Sequence, residues 1–170
     1  MKTPARTATN GASLKVVLLA GLCGGLAEVV WIQLYSAVAG SSGAEIARQV
    51  TASLWPGMTD AAFAPGLGIV IHFALSLLVA VCFAALVWVP FLRRRGPAVS
   101  LAAASVVLAA IWAVNFLAVL PVVNADFVGL LPYPVTFGSK LLFGLAMAAV
   151  LSGAPRGRGG GGRREGWPRA

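Results

Sequence analysis

Residues 66–89 read GLGIVIHFALSLLVAVCFAALVWV, twenty-four residues with one histidine and no Asp, Glu, Lys or Arg. At about 1.5 Å per residue, a helix of that length crosses a hydrocarbon core about 30 Å thick. Working outward, three more stretches pass the same test: 14–39, 98–120 and 135–152. Prolines punctuate them. Pro56 and Pro65 lie between the first two stretches, Pro90 and Pro97 flank Arg93, Arg94 and Arg95, and Pro121, Pro132 and Pro134 frame the third loop. Proline lacks a backbone donor and disfavours helix in the residue before it, so each is read as a break. The fold class expected is all-α, an integral membrane four-helix bundle.

Composition agrees with lipid as the solvent. Of 170 residues, 59% are hydrophobic and only 11% charged, with a mean hydropathy of +0.88, far from the balance of a soluble globular domain. The net charge of +8 does not spread over a face as nucleic-acid binding would require. It gathers in Lys2, Arg6 and Lys15, in Arg93 to Arg95, and in Arg156, Arg158, Arg163, Arg164 and Arg169. Cytoplasmic loops carry excess Lys and Arg, so alternation predicts both termini inside a bacterial inner membrane and two loops outside. Residues 1–13 are then a cytoplasmic N-terminal segment, 14–152 the four-span domain, and 153–170 a basic cytoplasmic tail. That tail, with Gly159 to Gly162 inside it, holds too little apolar surface to fold alone and is read as disordered.

A competing reading makes the first span a cleavable signal peptide, with Ala37-Val38-Ala39 as a small-residue site after a basic start. The long apolar run and its Glu28, Trp31 and Gln33 favour a retained helix. In the first outer loop Ile46, Val50 and Leu54 recur every four residues while Glu45, Arg48 and Gln49 face elsewhere. This predicts a short interfacial amphipathic helix, an anchor rather than a functional lid, with Trp55 at headgroup depth. The second outer loop, 121–134, is too apolar for open water and is expected to dip back and cap the bundle.

Ionisable groups inside spans are costly and usually face protein or water. Glu28, His72 and Lys140 qualify, accompanied by Gln33, Ser76 and Asn115. Small residues share their helical faces: Gly21 and Gly25 with Glu28, Gly68 and Ala80 with His72 and Ser76, and Gly144 and Ala148 with Lys140. Such residues let helices approach closely. Counted from the outer edge, Gln33, His72, Asn115 and Lys140 fall roughly 8 to 11 Å deep, with Glu28 nearer the midplane. Counted from the inner edge, Lys140 comes level with Glu28. Sequence thus leaves open a Glu28–Lys140 ion pair or a Lys140 that snorkels outward.

The polar groups either satisfy one another and fix helix register, or form a proton- or ion-linked site in which His72 titrates against Glu28. No nucleophile triad, phosphate loop or zinc spacing is present, and Cys23 and Cys82 sit singly in apolar runs. No cofactor, metal or nucleic-acid partner is expected.

From the second span onward, the layout resembles the YagU-like family of uncharacterised bacterial inner-membrane proteins. The residues that carry the likeness are Ile71-His72-Phe73 with Ser76, the 115–121 end of the third span, Gly129-Leu130-Leu131-Pro132, and a polar residue early in the last span. The resemblance covers about half the chain, departs at Lys140, and implies an inner-membrane address with no mechanism to carry over. The function expected is non-enzymatic, structural or partner-binding, in contact with the bilayer and with a second copy or a membrane-protein partner. The alternative is a small transporter or channel component for protons, ions or a small solute.

Overall fold

The computed structural model describes residues 13–153. The basic N-terminal segment and the tail expected to be disordered lie outside the described residues. Helix α1, Leu14–Ala39, begins where the Ser13 hydroxyl accepts from the Val16 amide and ends at Gly40, whose φ of 68° is the left-handed conformation that glycine adopts without strain. Helix α2, Gly43–Leu54, follows after three residues. Helix α3, Ala64–Phe83, carries Pro65 in its first turn, where a missing N–H would have had no partner anyway.

Pro90 does not break the second span as expected. From Ala84 to Leu92 the chain continues as π-helical turns, each admitting one more residue than an α turn. The widened ladder takes in the donorless Pro90, and the Arg93 N–H closes it onto the Trp88 carbonyl at 2.8 Å. Helix α4, Pro97–Val114, runs likewise through a π-helical stretch, Asn115–Val119, into the short α5, Leu120–Val123. Pro121 is absorbed in the first turn of α5 rather than ending the span. After α6, Ala125–Leu130, helix α7 spans Tyr133–Gly153.

Among the described residues, four helical rods are long and apolar enough to cross a membrane: Leu14–Ala39, Ala64–Leu92, Pro97–Val123 and Tyr133–Gly153. The chain is an all-α, multi-pass membrane protein. Its rods pack in the order α3, α1, α7, α4. Lipid tails are as apolar as leucine, so close fit rather than exclusion from water holds such rods together. A methyl placed on Gly21 would lie 2.9 Å from Ala80 Cβ, and one on Gly25 would lie 2.7 Å from Ser76 Oγ. Those two glycines therefore set the α1–α3 spacing. Gly144 plays the same part for α7 and α4, with the Ala104 carbonyl 3.2 Å from its would-be Cβ. Ala148 is fully buried one turn further along.

Toward the Arg93 turn all four rods share one core, with Ala80, Phe83, Trp88, Leu108, Met147 and Leu151 at its centre. Toward the opposite end the apolar core gives way to α2 and the 120–131 segment. Helix α2 is seated on the start of α3, because Gly68 presents bare backbone to the Ala47 carbonyl. Thr51 Oγ1 donates to the Ala64 carbonyl at 2.6 Å, and Arg48 donates to the Thr59 carbonyl at 2.8 Å. The packed face differs from the one periodicity suggests. Ile46, Ala47 and Thr51 are buried, while Leu54 is 51% exposed, since the short Ala47 and the hydrogen-bonding Thr51 fit the glycine-notched helix better than a leucine does.

Candidate functional site: a polar cluster beneath a helical cap

Glu28 sits halfway along α1 with its carboxylate turned toward α7. Lys140 meets it there. Its Nζ lies 2.7 Å from Oε1 and 2.8 Å from Oε2, so one ammonium engages both oxygens. Of the two arrangements that the sequence left open, the ion pair is the one formed: Lys140 turns to Glu28 rather than snorkelling away from it, so the two residues share a level. The Ser139 hydroxyl adds a third contact, reaching Glu28 Oε1 at 3.1 Å and the Thr136 carbonyl at 2.8 Å with its single proton. Phe143 lies 5.9 Å beneath the ammonium, within range of a cation–π attraction.

His72 approaches the same level from α3. Its Nε2 is 3.1 Å from the Gly25 carbonyl, which can only accept, so Nε2 carries the proton. In the neutral ring Nδ1 is then an acceptor. Ser76, one turn along, returns its hydroxyl to the His72 carbonyl at 2.8 Å and packs on Gly25. It serves the helix contact and makes no bond to the charged pair.

The remaining expected members separate. Gln33 is exposed on α1, and its amide lies against Gly43 at the start of α2, at the rim of the site. Asn115 stands half-buried where the π-helical stretch of the third rod begins and does not line the cavity described below; its neighbour Phe116 does. The extra residue in that turn rotates the helix surface, which a regular 3.6-residue count from Asn115 does not anticipate.

Four contributors were not singled out by sequence. Ser139 and Thr136 join from α7; their signal is the three-residue spacing that puts both on the face of Lys140 and Phe143. Trp112 Nε1 donates to Thr136 Oγ1 at 3.0 Å, and Thr136 in turn donates to the Tyr133 carbonyl at 3.1 Å. Asn124, between α5 and α6, donates to the Gln49 carbonyl, to Gln49 Oε1 and to Ser53 Oγ, each at 3.1 Å, while its own oxygen caps α6 at Phe127. The third loop thereby holds down α2, and both lie over the end of the bundle.

Between them lies a cavity of about 80 Å³. Its floor is Glu28, His72, Ser139 and Thr136; its walls are apolar, with Ile32, Ile69, Phe116 and Leu131; its roof is Ile46, Ala47 and Val50 of α2 with Phe127 of α6. No described residue on the Arg93 side of Glu28 and His72 lines it. There Gly24 lies against Phe143, and Gly25 against Ser76 and Phe73. Among the described residues these contacts close the cavity toward the Arg93 turn.

Chemically, the floor holds one carboxylate neutralised by Lys140, which is not itself on the lining, one imidazole and two hydroxyls already engaged. Among the described residues no group of three or more His, Cys, Asp or Glu is placed to hold a metal ion. No protein-family model, curated protein or solved structure matches this chain.

Proposed function

We propose that this chain is a non-enzymatic, multi-pass protein of a bacterial inner membrane, with both termini in the cytoplasm. Its intramembrane polar cluster organises the bundle for binding a second copy or a membrane-protein partner. The observation that carries this reading is the closure of the Glu28–Lys140 pair: both carboxylate oxygens accept from one ammonium, with Ser139 in reach. A pair so satisfied ties α1 to α7 and fixes their register. It has no free charge to pass to a substrate. Kinship with the YagU-like family belongs to the same proposal and rests on the motifs quoted above.

The orientation rests on the Arg93 to Arg95 turn at one end of the bundle and the excess of Lys and Arg near cytoplasmic ends. A cytoplasm-active reporter fused after Arg94 should give signal, and a periplasm-active reporter inserted at Gly57 should do the same. The reverse pattern rejects the orientation. For the partner, native mass measurement in mild detergent should find a dimer or a discrete hetero-complex.

A transporter component is the second reading, favoured by the presence of His72 and Glu28 on the floor of a cavity. It requires the Gly24–Phe143 and Gly25–Ser76 contacts to open. Proteoliposome flux of protons, common ions or small solutes, together with a monomeric mass and no partner, would replace the first reading with this one.

A further inference from the structure

We propose that the cavity under α2 is a binding site for a small, neutral, largely apolar molecule that presents one hydrogen-bond donor, of the kind a phenol or a short alkanol exemplifies. This goes beyond the organising role of the polar cluster and shares with it only the Glu28–Lys140 geometry.

The donors and acceptors of the floor are unequal. Lys140 is engaged by both oxygens of Glu28. The Thr136 hydroxyl donates to Tyr133, and the Ser139 proton is divided between Glu28 and Thr136. The Nε2 proton of His72 goes to Gly25. The hydroxyl and imidazole donors of the floor are thus engaged, while acceptor capacity is left over; the donors that remain are the third ammonium proton of Lys140, which does not line the cavity, and the Gln33 amide at its rim. A carboxylate has about four lone-pair sites, and three contacts reach Glu28 here. In the neutral imidazole Nδ1 has one more lone pair to offer. A guest that only accepts is left with the Gln33 amide at the rim, whereas one that donates has Glu28 and, in the neutral ring, His72 on the floor to address.

Charge selects further. Glu28 and Lys140 sum to zero, so a cation would compete with Lys140 for the carboxylate, and an anion would face it. In a surround of low dielectric a net charge is expensive, whereas a neutral donor adds a bond without one. Size bounds the rest. At about 80 Å³ the space is smaller than the ~150 Å³ cavity that takes benzene, so a single ring enters only with a small outward shift of the α2 roof. That roof is side chains of the short helices α2 and α6, not of the packed rods.

The probes are phenol, anisole and benzylammonium, each titrated against the full-length protein in nanodiscs. Binding is read by ligand-detected saturation-transfer NMR, with empty nanodiscs as the blank. Phenol should bind saturably and at least about fivefold more tightly than anisole, which keeps the ring and replaces the donor by a methyl. Benzylammonium should bind more weakly than phenol. Val50→Trp and Ile69→Phe fill the cavity from roof and wall, and either variant that retains native circular dichroism should lose the phenol response; Val122→Trp, on a side chain 86% exposed, should keep it. Equal affinity for phenol and anisole, tighter binding of the cation, no phenol signal above the blank, or a response unchanged in a folded filled variant would each overturn the proposal. None of these results touches the Glu28–Lys140 clamp, which is tested by stability alone.

Discussion

Lys140 Nζ stands 2.7 Å and 2.8 Å from the two carboxylate oxygens of Glu28, joining residues 112 positions apart in sequence across the α1–α7 interface. An ionisable group inside a membrane span is costly, and each partner offsets the charge of the other. Glu28→Gln should keep the Ser139 contact and lose the ionic one, leaving an unpaired ammonium. Breaking a buried pair on one side costs on the order of 3–5 kcal/mol in soluble proteins. A large drop in thermal stability in detergent is expected, read by loss of the monodisperse elution peak on heating.

Two glycines two residues apart give an internally controlled comparison. A methyl on Gly66 meets nothing within 4 Å, whereas one on Gly68 overlaps the Ala47 carbonyl. Gly66→Ala should be neutral or slightly stabilising. Gly68→Ala should push α2 off α3 and cost about 1–3 kcal/mol, with protease sensitivity appearing in 43–54 before the spans unfold. Equal behaviour of the two variants would mean that α2 does not pack as described.

The Asn124 amide is the link between the third loop and α2. Asn124→Ala removes those bonds and the α6 cap together, for about 1–3 kcal/mol. Its signature is local. Amide hydrogen exchange in α2 and α6 should accelerate while that of α1 and α7 stays the same.

Trp88 is buried in the shared core, and its indole N–H has no hydrogen-bond partner among the described residues. Trp88→Phe deletes that unsatisfied donor while keeping an aromatic ring, so its stability should match or exceed that of the parent. Trp88→Ala leaves a cavity and should cost about 3–5 kcal/mol. If Trp88→Phe is as damaging as Trp88→Ala, the indole N–H has a role that these contacts do not describe.

Much of the architecture was legible because hydropathy is a property of long runs. The four rods, the cap formed by 121–134 and the inward faces of Gly25, Gly68 and Gly144 all follow from which residues lipid accepts and where backbones approach. The site was legible only in part. Glu28, His72 and Lys140 stand out by cost alone, but their partners depend on depth, and depth depends on where helices begin and end. Helix α7 starts at Tyr133, two residues before the expected boundary, and α3 runs on through Pro90 by π-helical turns that no regular period reveals. Asn115 falls out of the cluster for the same reason. Ser139 and Thr136 escaped notice because hydroxyls are cheap in a membrane helix and carry no signal until a neighbouring charge needs them. The true inner face of α2 was hidden because Ala47 and Thr51 are chosen by the notch at Gly68, a contact from another element.

The most direct measurement is a double-mutant cycle on the charged pair, using Glu28→Gln, Lys140→Met and the two combined, with unfolding free energies measured by steric trapping in bicelles. A clamp between these residues predicts that the double variant is clearly more stable than the sum of the single losses allows, with a coupling energy above about 1 kcal/mol. Additive losses, with coupling indistinguishable from zero, would contradict it: Glu28 and Lys140 would then be neighbours in the bundle and not the contact that holds α1 against α7.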